Sequence, residues 1–164
     1  MSTIRIGHGW DLHRLVVGKP LLLGGVSVKS PLGADAHSDG DVLLHALVDA
    51  ILGAAALGDI GEHFPPTQAQ WKDADSSTLL AKVLAILADE RPGWQLGNVD
   101  ATVILEKPSL KEYKPMIQKS LAKLLGLPLE QISVKAKTCE KLGPIGHGEA
   151  ISALVTVLLC ADTD

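Results

Sequence analysis

Asp11 and His13, two residues apart in G-H-G-W-D-L-H, and His45, near the end of A-H-S-D-G-D-V-L-L-H-A, carry more chemical information than any other residues in this sequence. A strand sets residues i and i+2 on one face, roughly 6–7 Å apart, so Asp11 and His13 point the same way. His45 lies in a stretch with helical spacing and is placed to close a trio. Two imidazoles and one carboxylate leave one position of a tetrahedral ion open. That is the arrangement of a catalytic rather than a structural zinc centre. A D-x-H pair alone is a weak signal, and His45 reads equally as a hydrogen-bonded histidine on a half-buried helix face. Asp49, one turn further on, is placed to bond and orient His45. Asp39 and Asp41 read as residues that cap the helix and complement its dipole.

Two other stretches suit phosphate. A-H-S-D-G-D at 36–41 precedes a helix, and backbone N–H groups at a helix start attract anions near His37 and Ser38. A plain capped loop explains the same residues. K-A-K-T-C-E-K at 135–141 offers Lys charge, a Thr hydroxyl and a Glu able to hold a divalent cation. A solvated strand end explains it as well. Gly143, Gly146 and Gly148 suit either a close backbone approach to a ligand or an ordinary loop.

The elements that position these residues follow from periodicity. Residues 3–15 alternate as a half-buried strand, with Ile4, Ile6, Trp10 and Leu12 on the core face and Gly7, Gly9, Asp11 and His13 on the other. Residues 20–28 read as one strand kinked at Gly24-Gly25, and 31–40 as a polar loop. A helix over 41–56 carries apolar residues at helical spacing and is capped by Ser38 or Asp39. After an irregular stretch at 58–74, a helix spans 76–91, capped by Asp75 or Ser76 and ended by Pro92-Gly93. A strand covers 95–105. A helix runs over 113–125 with Pro115 in its first turn and Gly126 past its end. Strands at 132–138 and 150–160 complete the chain. The order is β-β-α-α-β-α-β-β, an α+β fold of ferredoxin-like order with a mixed sheet and helices packed on one side. Residues 151–161 are the most apolar stretch and read as a buried strand.

The chain has 164 residues, the size of one domain. Aromatic residues are only 3%, so the core must be aliphatic. A net charge of −4 without charge runs argues against nucleic acid as a partner. No apolar run is long enough to span a bilayer, and no signal peptide is visible at the N-terminus. Cys139 and Cys160 lack C-x-x-C spacing, which suits a reducing compartment.

Five motifs in order, G-H-G-W-D-L-H, A-H-S-D-G-D-V-L-L-H-A-L, D-A-I-L-G-A-A-A-L-G-D-I-G, L-G-N-V-D-A-T-V-I and K-A-K-T-C-E-K-L-G, resemble those of the 2-C-methyl-D-erythritol 2,4-cyclodiphosphate synthase family of the non-mevalonate isoprenoid pathway. The resemblance covers about residues 4–159. It implies that Asp11, His13 and His45 bind Zn²⁺, that His37 and Thr138 support the transition state, and that Glu140 binds a second divalent ion, Mg²⁺ or Mn²⁺. It further implies substrate contacts from Asp11, His13, His37, Ser38, Asp59, Ile60, Gly61 and Phe64. Residues 105–111 (Leu105, Pro108, Leu110 and Lys111 among them) match the cytidine and diphosphate pocket, together with Lys137, Thr138, Cys139 and Glu140. His147 falls at a position that commonly holds an arginine in a cavity on the trimer axis.

The resemblance also implies a homotrimer with active sites between neighbouring subunits, a small-molecule cytidine diphosphate substrate, and a location in the cytoplasm or, after transit-peptide removal, the plastid stroma. The reaction implied is attack of the 2-phosphate of 4-diphosphocytidyl-2-C-methyl-D-erythritol 2-phosphate on its own β-phosphorus, releasing CMP. This chain departs from the pattern at Ser109, where a lysine is common, at His147, and at Pro66 and Gln68, which replace acids. Two rival readings are a zinc-dependent phosphoester hydrolase and a non-catalytic trimeric nucleotide-binding module.

Overall fold

The computed structural model describes residues 3–71 and 73–161. A five-stranded mixed sheet in the order β4-β1-β7-β5-β6 forms its frame. β1 is Thr3–Val17, β4 Leu32–Asp35, β5 Trp94–Ile104, β6 Ile132–Lys137 and β7 Ala150–Ala161. Only β5 and β6 run parallel. β7, the most apolar segment of the sequence, takes the central place, where both its edges are paired. The helices α1 (Val42–Ala55), α3 (Ser76–Glu90) and α4 (Lys114–Leu125) are the long ones, and α1 and α4 pack on the sheet. Two one-turn helices, α2 (Ile60–His63) and α5 (Gly143–Gly146), lie in connections.

The core is aliphatic, as the composition requires. Leu43, Leu47, Ile51, Val99, Val103, Ile151, Val155 and Leu159 are all buried, and Phe64 is the one buried aromatic residue among those described. α1 is apolar nearly all round and sits between β1, β7 and α3. That is why its amphipathic signal is weak and its burial almost complete.

The structure corrects the sequence reading in four places. First, β1 faces the other way. Gly7 and Gly9 are buried against α1, whereas Ile6 is 69% and Trp10 56% exposed. The cause is the close approach of the helix. A Cβ at residue 7 would lie 1.8 Å from the Ala50 carbonyl oxygen, and one at residue 9 would lie 1.9 Å from that of Ala46. Only glycine admits the helix there, so the inward face carries the smallest side chains and the bulky ones point outward. Second, residues 20–28 form a hairpin of two strands, β2 (Leu21–Leu23) and β3 (Val26–Val28). Gly24 and Gly25, both at positive φ (61° and 76°), make a two-residue turn where a kinked strand was expected.

Third, part of the expected loop at 31–40 pairs with β1 as strand β4. Fourth, of the three candidate caps of α1, Asp41 takes the place, and Ser38 and Asp39 do not. The Asp41 carboxylate is fully buried and accepts the N–H groups of Leu44, Gly24 and Gly25. It therefore ties the hairpin turn to the start of the helix. By contrast, α3 begins with an Asp75 cap and α4 ends at a left-handed Gly126, as the sequence signals require.

Candidate active site

Asp11 and His13 project from the α1-facing side of β1, opposite Ala153 and Ile151 of β7. His45 is in the first turn of α1, just before Ala46, the residue whose carbonyl meets Gly9. The glycine-permitted contact between helix and strand thus brings all three side chains together. His45 Nδ1 is 3.0 Å from Asp11 Oδ2 and 3.0 Å from His13 Nε2, and His13 Nε2 is 3.1 Å from Asp11 Oδ2. Among the described residues this is the one cluster of three metal-ligating side chains.

A triangle with those sides has a point about 1 Å off its plane that is ~2.0–2.1 Å from every corner, the zinc–nitrogen and zinc–oxygen distance. The donor set and its geometry therefore fit a metal ion with one side open. The electrostatics agree. Burial raises Asp11, but the His45 hydrogen bond and the two imidazoles outweigh it and hold the carboxyl below its ordinary range. Burial lowers the His13 imidazole, and Asp11 does not make up the difference. Burial also works against a charged His45, but Asp11, with Asp41 and Asp39 behind it, lifts that ring above the usual histidine value.

The triad opens into a cleft of about 380 Å³. His37 and Ser38 line it on one side, and Ile60, Gly61, Phe64 and Trp71 line it on the other. The loop carrying His37 is fastened to the chain before α3, since Asp73 N donates to the His37 carbonyl and Asp39 N to that of Ala74. Asp59 is exposed and caps α2, its Oδ1 accepting the Glu62 N–H. Asp49 also lines the cleft but does not orient His45. Its Oδ1 accepts the Ile60 N–H at 2.7 Å and so holds the α2 wall in place. Burial raises the Asp49 carboxyl above its ordinary value despite that bond. The outer nitrogen of His45 is met instead by Ser38 and Ser76. Ser76 gave no signal in the sequence beyond a helix start.

A second cleft, of about 360 Å³, lies between the end of β5 and β6. It gathers Leu105, Pro108, Leu110, Lys111, Lys137 and Thr138, together with Lys107, Ser109 and Lys114. It shares no lining residue with the first cleft. The Thr138 hydroxyl donates to Glu140 Oε1 at 3.0 Å. Glu140 and Lys141 both take positive φ, and Glu106 Oε2 accepts the N–H groups of Cys139 and Lys141 on either side of that turn. His147 lies in a neighbouring depression with Lys107, Pro108 and Ser109.

The YgbB family matches residues 4–160 of the chain. A 2-C-methyl-D-erythritol 2,4-cyclodiphosphate synthase from Synechococcus elongatus is 52% identical over 162 residues, covering 99% of this chain and all of that protein. The chain belongs to the 2-C-methyl-D-erythritol 2,4-cyclodiphosphate synthase family. Solved members share its shape. The IspF of Plasmodium falciparum, in its CDP complex, superposes with a TM-score of 0.84 at 37% identity, covering 98% of this chain and 97% of that one. The bifunctional IspDF of Campylobacter jejuni gives a TM-score of 0.92 at 43% identity, over 99% of this chain and 43% of the larger protein. The mixed sheet with helices on one side is thus the fold of the synthase family.

Proposed function

We propose that this chain is a phosphorus–oxygen lyase that converts 4-diphosphocytidyl-2-C-methyl-D-erythritol 2-phosphate to 2-C-methyl-D-erythritol 2,4-cyclodiphosphate and CMP in the non-mevalonate pathway. The observation that carries this reading is the 3 Å triangle of Asp11, His13 and His45 at the base of an open cleft, in a chain half identical to named synthases. A relative captured with CDP supports a cytidine diphosphate substrate.

Asp11, His13 and His45 hold Zn²⁺, and Glu140 holds a second divalent ion, Mg²⁺ or Mn²⁺. Bound there, the two ions supply charge neutralisation to the diphosphate. The remaining work falls to the chain. His37, Ser38, Ile60 and Phe64 hold the methylerythritol phosphate end, and Asp59 and Gly61 contact the ribose. Leu105, Pro108, Leu110, Lys111, Lys137 and Cys139 hold the cytidine and diphosphate, with His147 beside them. Thr138 and His37 donate hydrogen bonds to phosphoryl oxygens in the transition state.

A bond forms between a 2-phosphate oxygen and the β-phosphorus. The bond from the β-phosphorus to the oxygen it shares with the α-phosphate breaks, and CMP leaves with that electron pair. The attacking oxygen is already anionic, so the site needs alignment and charge complementarity more than a general base.

The chain forms one catalytic domain, and its active site is shared between subunits of a homotrimer in the cytoplasm or the plastid stroma. Two features support sharing. The metal-ligating cleft and the lysine-rich cleft are separate in one protomer. The outer sheet face carries Ile4, Ile6, Trp10 and Leu12, opposite Leu154 and Leu158 of β7, an apolar stripe that a single chain leaves in water. The test is incubation of purified protein with the diphosphocytidyl substrate, Zn²⁺ and Mg²⁺. CMP and the cyclic diphosphate in equal amounts support the reading, and substrate recovered intact sinks it.

A further inference from the structure

His45 Nδ1 belongs to the triad, whereas Nε2 points the other way, into the protein. Ser76 Oγ and Ser38 Oγ each lie 3.0 Å from it. Ser76 opens α3 and is 1% exposed. Its hydroxyl donates to Asp39 Oδ1 at 2.5 Å, and its backbone N–H donates to Asp39 Oδ2 at 3.0 Å. The Asp39 carboxylate therefore grips the serine at two points, while also accepting the Asp41 N–H.

A hydroxyl has one proton to give. That of Ser76 is committed to Asp39, so the oxygen presents only lone pairs to His45. These lone pairs favour the ring proton on Nε2, in competition with Asp11 at Nδ1, and a proton on Nε2 leaves the lone pair on Nδ1. That lone pair faces the Asp11 carboxylate oxygen at 3.0 Å. Two acceptors at this separation repel unless a cation lies between them. The far side of the ring thus decides what the near side can bind.

We propose that Asp39 and Ser76 are positioning residues: they lock His45 in its Nε2–H tautomer and ring orientation, and so present Nδ1 to the triad as a metal-ligating lone pair. This rests on the reading that the triad holds a metal. Ser38, whose Oγ accepts the Gly40 N–H and which lines the open cleft, makes an accessory contact to Nε2.

Ser76→Ala deletes the hydroxyl and keeps the backbone bond to Asp39, whereas Ser76→Thr keeps both. Two quantities separate the roles in the full chain: Zn²⁺ and Co²⁺ affinity by competition with a chromophoric chelator, and the ¹⁵N shifts of the His45 ring in metal-free protein at alkaline pH. The wild type should show a protonated Nε2 and a bare Nδ1. Ser76→Ala should mix the tautomers and weaken metal binding about 10-fold, the usual scale for losing such an outer contact. Ser76→Thr should restore both. A wild-type ring protonated on Nδ1 would overturn the proposal. So would Ser76→Ala with unchanged affinity and tautomer, or both effects following Ser38→Ala instead. If the wild type bound neither metal, the metal reading would fall, and the ring shifts of the metal-free wild type would still decide the tautomer.

Discussion

Gly9 and Ala46 stand so close that a methyl group on residue 9 would lie 1.9 Å from the Ala46 carbonyl oxygen. Gly9 is two residues before Asp11, and Ala46 directly follows His45, so this one contact sets the spacing across the triad. Gly9→Ala must push α1 off β1. The expected cost is about 3 kcal/mol, the upper range for overpacking a core, with loss of Zn²⁺ binding because His45 moves away from Asp11. Calorimetry and chelator competition check the two effects. A variant that melts and binds zinc like the wild type would show that the close approach does not set the site.

That contact also shows where the sequence was legible and where it was not. Pairing Asp11 with His13 needed only the two-residue period of a strand, and His45 needed only a helix in the right place. The direction in which that strand faced was not legible. Hydrophobic alternation assigns Ile4, Ile6, Trp10 and Leu12 to the core, and nothing local says that two glycines mark a helix seat. The outward apolar face fits the proposed trimer, which no periodicity describes. Asp49 looked like the partner of His45 because helical spacing counts only one's own helix. Ser76 reaches His45 from α3, 31 residues away, and Ile60, at the start of α2, captures Asp49.

Metal binding should depend on pH with a definite sign. His45 must shed its proton to ligate. Burial disfavours its charge, but Asp11 holds its proton affinity above the ordinary histidine value of about 6.5. Apparent Zn²⁺ affinity therefore rises with pH up to and through the raised His45 value and levels off above it. Asp11, held low, stays ionised throughout, and His13, also held low by burial, gives up its proton first. The metal-free fold shows the reverse contribution from His45, whose stabilisation is complete below the unfolded histidine value and lost as pH rises through the folded one. Titration of zinc against a chelator across this range is the check. A flat profile there would contradict the assignment of His45 as a ligand.

Asp41 should be a stability residue without a part in chemistry. Its carboxylate takes three backbone N–H groups at 2.7, 2.9 and 3.0 Å, and it is fully buried. Asp41→Ala leaves the buried N–H groups of Gly24 and Leu44 unpaired, at about 1–3 kcal/mol each, and hands that of the exposed Gly25 to water. The expected net loss is about 4 kcal/mol, a fall in Tm of roughly 10 °C for a chain of this size. A fall of one or two degrees in a melting experiment would show that the tie between hairpin and helix is unimportant.

Sharing of the active site predicts complementation. His13→Ala disables the metal-ligating cleft and Thr138→Ala the lysine-rich one, so each alone is inactive. Unfolded together and refolded into mixed trimers, they should recover about a quarter of wild-type activity, the share of interfaces that pair two intact halves in a heterologous ring. Ile6→Glu, on the 69% exposed outer position, should yield an inactive monomer in sedimentation. No recovery on mixing would place the whole site within one chain.

The reaction in ¹⁸O-water tests the central claim most directly. An intramolecular attack by the 2-phosphate takes no oxygen from solvent, so ³¹P spectra should show a cyclic diphosphate and CMP free of isotope shift. A linear phosphate product carrying one ¹⁸O on the former β-phosphorus would mean that water is the nucleophile and that the site is a hydrolase.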